Sequence, residues 1–389
     1  MTRILLDARK ARDFGIGAYV LGLIGGLARR GGFELAAVVR PEDANLFPAG
    51  VTRIVSDALN YSLGELMSVR NAIGLAKPDI FHAPHYVVPF FPPRATVVTI
   101  HDLMHLHRPE HASPAKRAYA RWMLGRAVKA AARIITVSQA TKKDLTTMFP
   151  GATVKVVVIP DGVGEPFFEE REREPASKAA RERYGLASSP YLLFLGNDKP
   201  HKNLEGLLDG LALLIQSSLS KKTPAVPPVS LVLAGGAAER VAERKRAIKA
   251  RGLSGSVTDL GIIPASDVPS LLAGAAALVL PSFAEGFGIP VLEAQAVGTP
   301  VVCSDRGGLR EAAGNAAVYI DPEKPASIAQ ALERVLTDEG LREMLRKEGK
   351  ERAKLFTWDA VAEKTAEVYE DVLRGSPSSF LRKPPVVSP

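Results

Sequence analysis

One uninterrupted stretch constrains the fold more than any other: LVLPSFAEGFGIPVLEAQAVGTPVVCS, residues 278–304. Two apolar runs, LVLPS and TPVVCS, are too short for helices, and a helical segment preceded by glycines lies between them. Strands joined by a helix lie parallel in one sheet, because a parallel crossover needs a dozen or more residues.

The helix is predicted to begin near Gly288, where unpaired backbone N–H groups and the positive end of the helix dipole favour a bound phosphate. Gly286 and Gly288, flanking Phe287, let a ligand approach the backbone closely. Glu293 stands about a turn and a half into the helix, in reach of the vicinal hydroxyls of a ribose whose diphosphate sits at the helix tip. Glu285, ahead of the glycines, faces whatever lies beyond the phosphates, which for a nucleotide sugar is the sugar. The plainer reading is an ordinary strand-turn-helix with two surface glutamates.

The same alternation runs along the chain, and 389 residues suffice for two domains with full cores. In the first half, strands are predicted at Arg3 to Asp7, ELAAVVR, Ile80 to His82, Val97 to Ile100, Ile134 to Val137 and Lys155 to Ile159. Helical stretches follow at Ala18 to Arg30, Leu63 to Ala76, Pro114 to Ala131 and Gln139 to Met148. In the second half YLLFLG, VSLVLAGG, VTDLG, ALVLPS, TPVVCS and AVYID form another series. The expected fold is α/β, two doubly wound parallel sheets. The expected bounds are 1–170 for the first domain, 171–190 for a charged linker, 191–357 for the second domain, and 377–389 for a flexible Pro- and Ser-rich tail. Such sheets bind ligands off the carboxyl ends of their strands, where His82, His101, Asp102 and Ser138 are expected to face one cleft.

Several function classes are disfavoured. The loop before the first helix carries Gly15 and Gly17, but Val20 stands where a dinucleotide fingerprint needs a third glycine, and the second strand ends in Arg40 instead of an acidic residue. Six of the seven histidines fall between His82 and His111, yet His101, His105, His107 and His111 occupy a loop without two-ligand helical spacing, so no metal site is expected. The single cysteine, Cys303, excludes an intramolecular disulfide and a cysteine zinc site, and is expected to pack in the core. The N-terminus has only a three-residue apolar run, and LLAGAAALVL is half a membrane span, so a cytoplasmic protein is expected. Net charge is +8 with no nucleic-acid motif. The basic residues concentrate at Lys116 to Arg133, where Arg117, Arg121 and Lys129 interleave with Tyr119 and Trp122, a composition suited to an anionic membrane surface or to a solvated helix face.

From Thr96 to Gly162 and from Leu192 to Pro322 the chain resembles glycosyltransferase family 4, retaining enzymes of the GT-B fold with two Rossmann-like domains facing a central cleft. The resemblance rests on TIHDLMHLHRPEH, RIITVSQATKKDL, VIPDGV, FLGNDKPHKNL, the Glu285 to Glu293 pair and GTPVVCSDRGGLREAAGNAA. It implies that Lys202 contacts the donor phosphates, that Gly15 and Gly17 face those phosphates across the cleft, and that Glu285 holds the transferred sugar. Groups around Gly261 to Pro264 would flank the base. It also implies that His101 contacts the transferred sugar or an acceptor hydroxyl, with Asp102 either a second acceptor contact or a helix cap, and that helix 358–376 crosses back to the first domain. The family's phosphate-binding arginine is replaced by Asn197, with Lys199 or His201 as candidate substitutes.

No Asp-x-Asp occurs, so Lys202 and the helix tip would take the place of a metal ion, and no cofactor is implied beyond the nucleotide sugar as substrate. Front-face attack would make a covalent nucleophile unnecessary. By resemblance to bacterial mannosyltransferase-like members the expected donor is GDP-mannose, with a UDP-hexose such as UDP-glucose next, and the expected acceptor is a saccharide or lipid-linked envelope precursor. A GT-B nucleotide-sugar epimerase and a non-catalytic nucleotide-sugar sensor are the alternatives.

Overall fold

The structure is a computed structural model that describes residues 1–58, 63–107, 113–169, 173–186, 189–220, 226 and 228–375. The chain forms two compact units, Met1–Gly162 together with the segment from Phe356 onward, and Val163–Leu355.

In the first unit the described elements are β1 (Thr2–Asp7), α1 (Phe14–Arg30), β2 (Phe33–Val39), β3 (Thr52–Val55), α2 (Leu63–Ala76), β4 (Ile80–Ala83), β5 (Thr96–Ile100), α3 (Met104–His107), α4 (Pro114–Ala130), β6 (Arg133–Thr136), α5 (Gln139–Met148) and β7 (Val156–Val158). The strands lie in one sheet, all parallel, in the order β3-β2-β1-β4-β5-β6-β7. Order therefore reverses beside β1, which marks the β1/β4 boundary as a ligand-binding position in such a sheet. Leu5, Val38, Phe81, Val98 and Ile134 fill its core against α2, α4 and α5.

The second unit contains α6 (Arg173–Arg183), β8 (Tyr191–Leu195), α7 (Leu204–Ser220), β9 (Ser230–Ala234), α8 (Val241–Ala250), β10 (Val257–Asp259), α9 (Val268–Ala273), β11 (Ala277–Leu280), α10 (Ile289–Val297), β12 (Val301–Ser304), α11 (Leu309–Ala313), β13 (Val318–Ile320), α12 (Pro325–Thr337) and α13 (Glu339–Ala353). Its sheet repeats the plan as β10-β9-β8-β11-β12-β13. Cys303 is sealed in β12, and burial pushes its thiol up to about 12, so it packs as an apolar residue. The last helix, α14 (Trp358–Arg374), belongs to the first unit and lies along α1. Gly22 and Gly26 form the groove that admits it: a Cβ at Gly26 would stand 2.6 Å from the Trp358 carbonyl oxygen, and one at Gly22 would enter the indole.

Three expectations change. Within the expected linker, residues 173–183 form α6, which packs on α9 with Ala180 buried and Arg181 donating to Gly274 O (3.0 Å), and the second unit already begins at Val163. Helix α1 starts at Phe14, so Gly15 and Gly17 lie in its first turn and not in a loop. Arg133 is outside the basic helix: it sits in β6 and pairs with Asp371 of α14 at 2.7 Å. The expected tail 377–389 lies outside the described residues.

Candidate functional site

Strands β8 and β11 are hydrogen-bonded neighbours, so the loops leaving their carboxyl ends emerge side by side. From β8 the chain turns at Gly196 (φ 145°) through Pro200–Lys202, a single 3-10 turn, and ends it at Asn203 in the left-handed region (φ 56°). Asn203 bolts this turn down: its amide donates to Pro281 O (3.1 Å) and Pro322 O (2.7 Å), while its side-chain oxygen accepts from Gly206 N (3.2 Å) and opens α7. The backbone of Phe283 donates to His201 O (2.7 Å), tying the loop after β11 to the same turn.

These ties bring Lys202 and Glu285 together. Lys202 Nζ meets Glu285 Oε1 at 2.6 Å, with side chains 13% and 11% exposed, and Ser282 Oγ donates to the same oxygen at 2.7 Å. Ser282 is fully buried, and its carbonyl accepts from Ser304 Oγ on the neighbouring strand. The turn 285–287 is braced from behind by the loop after β12. Gly307 (φ 59°) and Gly308 pass so close that a Cβ on Gly308 would lie 2.5 Å from Phe287 Cα, and Gly308 N donates to Glu285 O (2.9 Å).

Helix α10 then begins after Gly288 (φ 122°), with no side chain capping its start. Glu293 follows in its second turn, half-buried and met by no hydrogen bond from the described residues, and burial pushes its carboxyl up to about 7. Lys202, Glu285, the Gly288 helix start and Glu293 thus lie together in the second unit.

At Asn197 the side chain closes a local turn by accepting from Lys199 N (3.3 Å). Of the two candidate substitutes, Lys199 is exposed and His201 is buried under the turn. A nearby cation that the sequence did not mark is Arg244 of α8. It is buried between Asp198 (2.7 Å) and Asp259 (2.8 Å), joining the Lys202 loop to β10. At Gly261 (φ 62°) the backbone bends away, and Ile262 is 70% exposed at the end of β10.

In the first unit the predicted polar residues separate into two groups. The His82 ring lies in the sheet interior, its Nδ1 2.6 Å from Tyr369 Oη and its Nε2 2.8 Å from Thr99 Oγ1, with burial pushing it down to about 3. Ser138 caps α5, accepting from Thr141 N at 3.0 Å. Both side chains are engaged within the unit, because a strand-end position says nothing about which way the pleat turns a side chain.

His101 remains a candidate. Burial pushes it down to about 4, so it is neutral near pH 7, and its Nε2 donates to Pro84 O (3.0 Å), which leaves Nδ1 as a hydrogen-bond acceptor. Its ring meets Tyr19 edge-on at 4.9 Å. Asp102 accepts from Met104 N (3.1 Å), the helix-opening role for α3. Gly17 is committed to packing: its Cβ would lie 2.9 Å from the Ala11 carbonyl carbon, whereas Gly15 has open space. The side chains of His105 and His107, and all of His111, lie outside the described residues. Among the described residues no group of three His, Cys, Asp or Glu side chains is assembled as a metal site.

A buried ionic cluster at the end of β1 escaped the sequence reading. Arg9 holds Asp7 through two bonds of 2.8 and 2.7 Å and reaches Glu65 at 3.2 Å, all three side chains being about 1% exposed. Burial alone would raise the Asp7 carboxyl, but Arg9 and His85 outweigh it and hold that group below the ordinary carboxylate range.

The model of Glycosyltransferase Family 4 matches residues 15–164, and that of Glycosyl transferases group 1 matches residues 177–352. O-antigen chain mannosyltransferase B of Escherichia coli is 30% identical over 295 residues, covering 76% of this chain and 74% of that protein. The chain belongs to glycosyltransferase family 4. A D-inositol 3-phosphate glycosyltransferase of Jonesia denitrificans is 31% identical over 252 residues, covering 62% of this chain and 58% of that protein. The solved structure of Anabaena HepE in complex with UDP and glucose superposes with a TM-score of 0.74 at 20% identity, over 95% of this chain and 100% of that one, a likeness of fold. The two parallel sheets are therefore the GT-B fold, and the family's activity is glycosyl transfer.

Proposed function

We propose that this glycosyltransferase takes a hexose from a nucleoside diphosphate sugar with retention of configuration and without a metal ion. Its acceptor is a saccharide or lipid-linked envelope precursor at the cytoplasmic face of the membrane. The observation that carries the reading is the convergence of Lys202, Glu285, the uncapped start of α10 and Glu293 in the second unit.

A departing diphosphate accumulates negative charge, and a lysine with a helix N-terminus supplies fixed positive partners for it. Ionised Glu293 takes the ribose hydroxyls, exposed Ile262 beside Gly261 offers an apolar surface to the base, and Glu285 takes hydroxyls of the hexose. The leaving phosphate accepts the acceptor's proton on the same face, so no side chain attacks the anomeric carbon. His101, neutral and open at Nδ1, accepts a hydroxyl proton's hydrogen bond on the acceptor side, with Asp102 next to it.

GDP-mannose is the first donor, supported by the mannosyltransferase relative from Escherichia coli; a UDP-hexose is second, supported by HepE with UDP and glucose. The membrane contact is carried by α4, on which Lys116, Tyr119, Arg121 and Lys129 are exposed and Trp122 is 53% exposed. The structure extends this patch: Arg126 lies over Trp122 (5.2 Å) and Phe90 (4.6 Å), and Arg70 lies over Phe91, which is 85% exposed. Basic residues beside exposed aromatics suit an anionic lipid surface. No described helix is long and apolar enough to cross a membrane.

Incubation with GDP-mannose, UDP-glucose and other nucleotide sugars, with and without membrane lipid extract, tests the reading. Acceptor-dependent release of nucleotide supports transfer; an altered sugar still on its nucleotide marks an epimerase; binding without turnover marks a sensor. Salt-sensitive sedimentation with anionic but not neutral liposomes is expected, and is to be lost when Arg121, Trp122 and Lys129 are replaced by Ser.

A further inference from the structure

The ion pair at the centre of the site has a consequence for which nucleotide stays bound. Lys202 and Glu285 meet at 2.6 Å with little solvent around either side chain, so the pair is not a surface contact that screens itself away. Ser282 Oγ holds the same Glu285 oxygen at 2.7 Å from below, and therefore keeps the carboxylate in place when Lys202 turns elsewhere.

We propose that the Lys202–Glu285 pair discriminates the intact nucleotide sugar from the spent nucleoside diphosphate, with Ser282 as its positioning residue. This rests on the donor reading given above. Any diphosphate that recruits Lys202 removes the ammonium from Glu285 and sets its own negative charge beside that carboxylate. The intact donor offsets the loss, because its sugar places hydroxyl donors on the Glu285 oxygens. The spent diphosphate carries one more ionisable oxygen and no hydroxyl at that position, so it meets the carboxylate with repulsion alone. Product is thereby disfavoured by the same group that holds the substrate. Specificity is a difference of two affinities, and here the repulsive half is Glu285 itself.

The test is calorimetric titration of GDP, UDP, GDP-mannose and UDP-glucose into the wild type, Glu285→Gln, Ser282→Ala and the double variant Lys202→Ala/Glu285→Gln, each checked for folding by circular dichroism. Glu285→Gln is expected to tighten the diphosphate that the wild type binds by about tenfold while leaving its sugar conjugate equal or weaker, a like-charge effect of ordinary size in a half-shielded site. Ser282→Ala is expected to narrow the preference for donor over diphosphate by weakening the donor, and the double variant to show no tightening. Unchanged or weaker diphosphate binding in Glu285→Gln, or equal tightening without Lys202, overturns the inference and leaves the functional reading standing. Failure of GDP, UDP and both of their sugar conjugates to bind the wild type overturns both.

Discussion

Replacing Glu293 by Gln removes a carboxyl whose burial raises it from an ordinary value of 4.5 to about 7. The folded state holds its proton more tightly than the unfolded chain does. The neutral carboxyl is therefore well accommodated below the unfolded value, and stability is lost as pH rises through about 7, levelling off above it. The full gap corresponds to ~3 kcal/mol, and because one edge of the residue reaches solvent a working figure is ~1–2 kcal/mol. Urea unfolding of wild type and Glu293→Gln at pH 5, 6, 7 and 8 isolates this group, since the other titrations cancel in the difference. The wild type should lose ground to the variant by that amount between pH 5 and 8. Nucleotide affinity should rise over the same interval in the wild type alone, because the ribose hydroxyls donate to the ionised form. A flat difference between the two proteins across pH 5 to 8 would refute the reasoning.

Lys202→Ala should lower turnover by about 10²- to 10³-fold with the fold intact, the usual cost of deleting one preorganised charge partner, and steady-state kinetics with circular dichroism check it. EDTA should leave transfer unaffected, since Lys202 and the start of α10 are the positive partners; complete, metal-reversible loss would contradict this. Arg244→Met should cost about 3 kcal/mol in urea unfolding, because two largely buried carboxylates lose their close cation, Asp198 keeping the longer Arg240 contact (3.8 Å) and Asp259 the Gly261 N–H (3.0 Å).

The two βα series were legible because most of the strands are apolar runs bounded by turn residues. The strand missed, β3, is an edge strand whose Thr52, Arg53 and Val55 are exposed, so it carries no apolar signature. Gly15 and Gly17 read as loop because glycine weakens a helix interior, yet at the first turn of α1 that weakness is small and Gly17 lets the chain pass close to Ala11. Segment 173–183 is mostly polar and reads as linker, while a single face, through Ala180 and Arg181, suffices to pack it. Within the site, Glu285, Gly288 and Glu293 were legible because one strand-turn-helix places all three. Asn203, Gly308 and Arg244 were not, since each acts through a partner from a different strand loop, and strand order is not written locally in the chain; Ser282 shares its loop with Glu285, but a lone serine carries no pattern. His82 and Ser138 sit at the expected strand ends, but their rings and hydroxyls turn inward to Tyr369 and Thr141.

The most direct measurement is a crystal structure of the protein with the nucleotide sugar that it turns over. The account predicts ribose hydroxyls on Glu293, the diphosphate at the start of α10 with Lys202 turned onto it, and Glu285 released from Lys202 to the sugar while still held by Ser282. A nucleotide bound elsewhere, or one bound with the 2.6 Å contact between Lys202 and Glu285 unbroken, would contradict it.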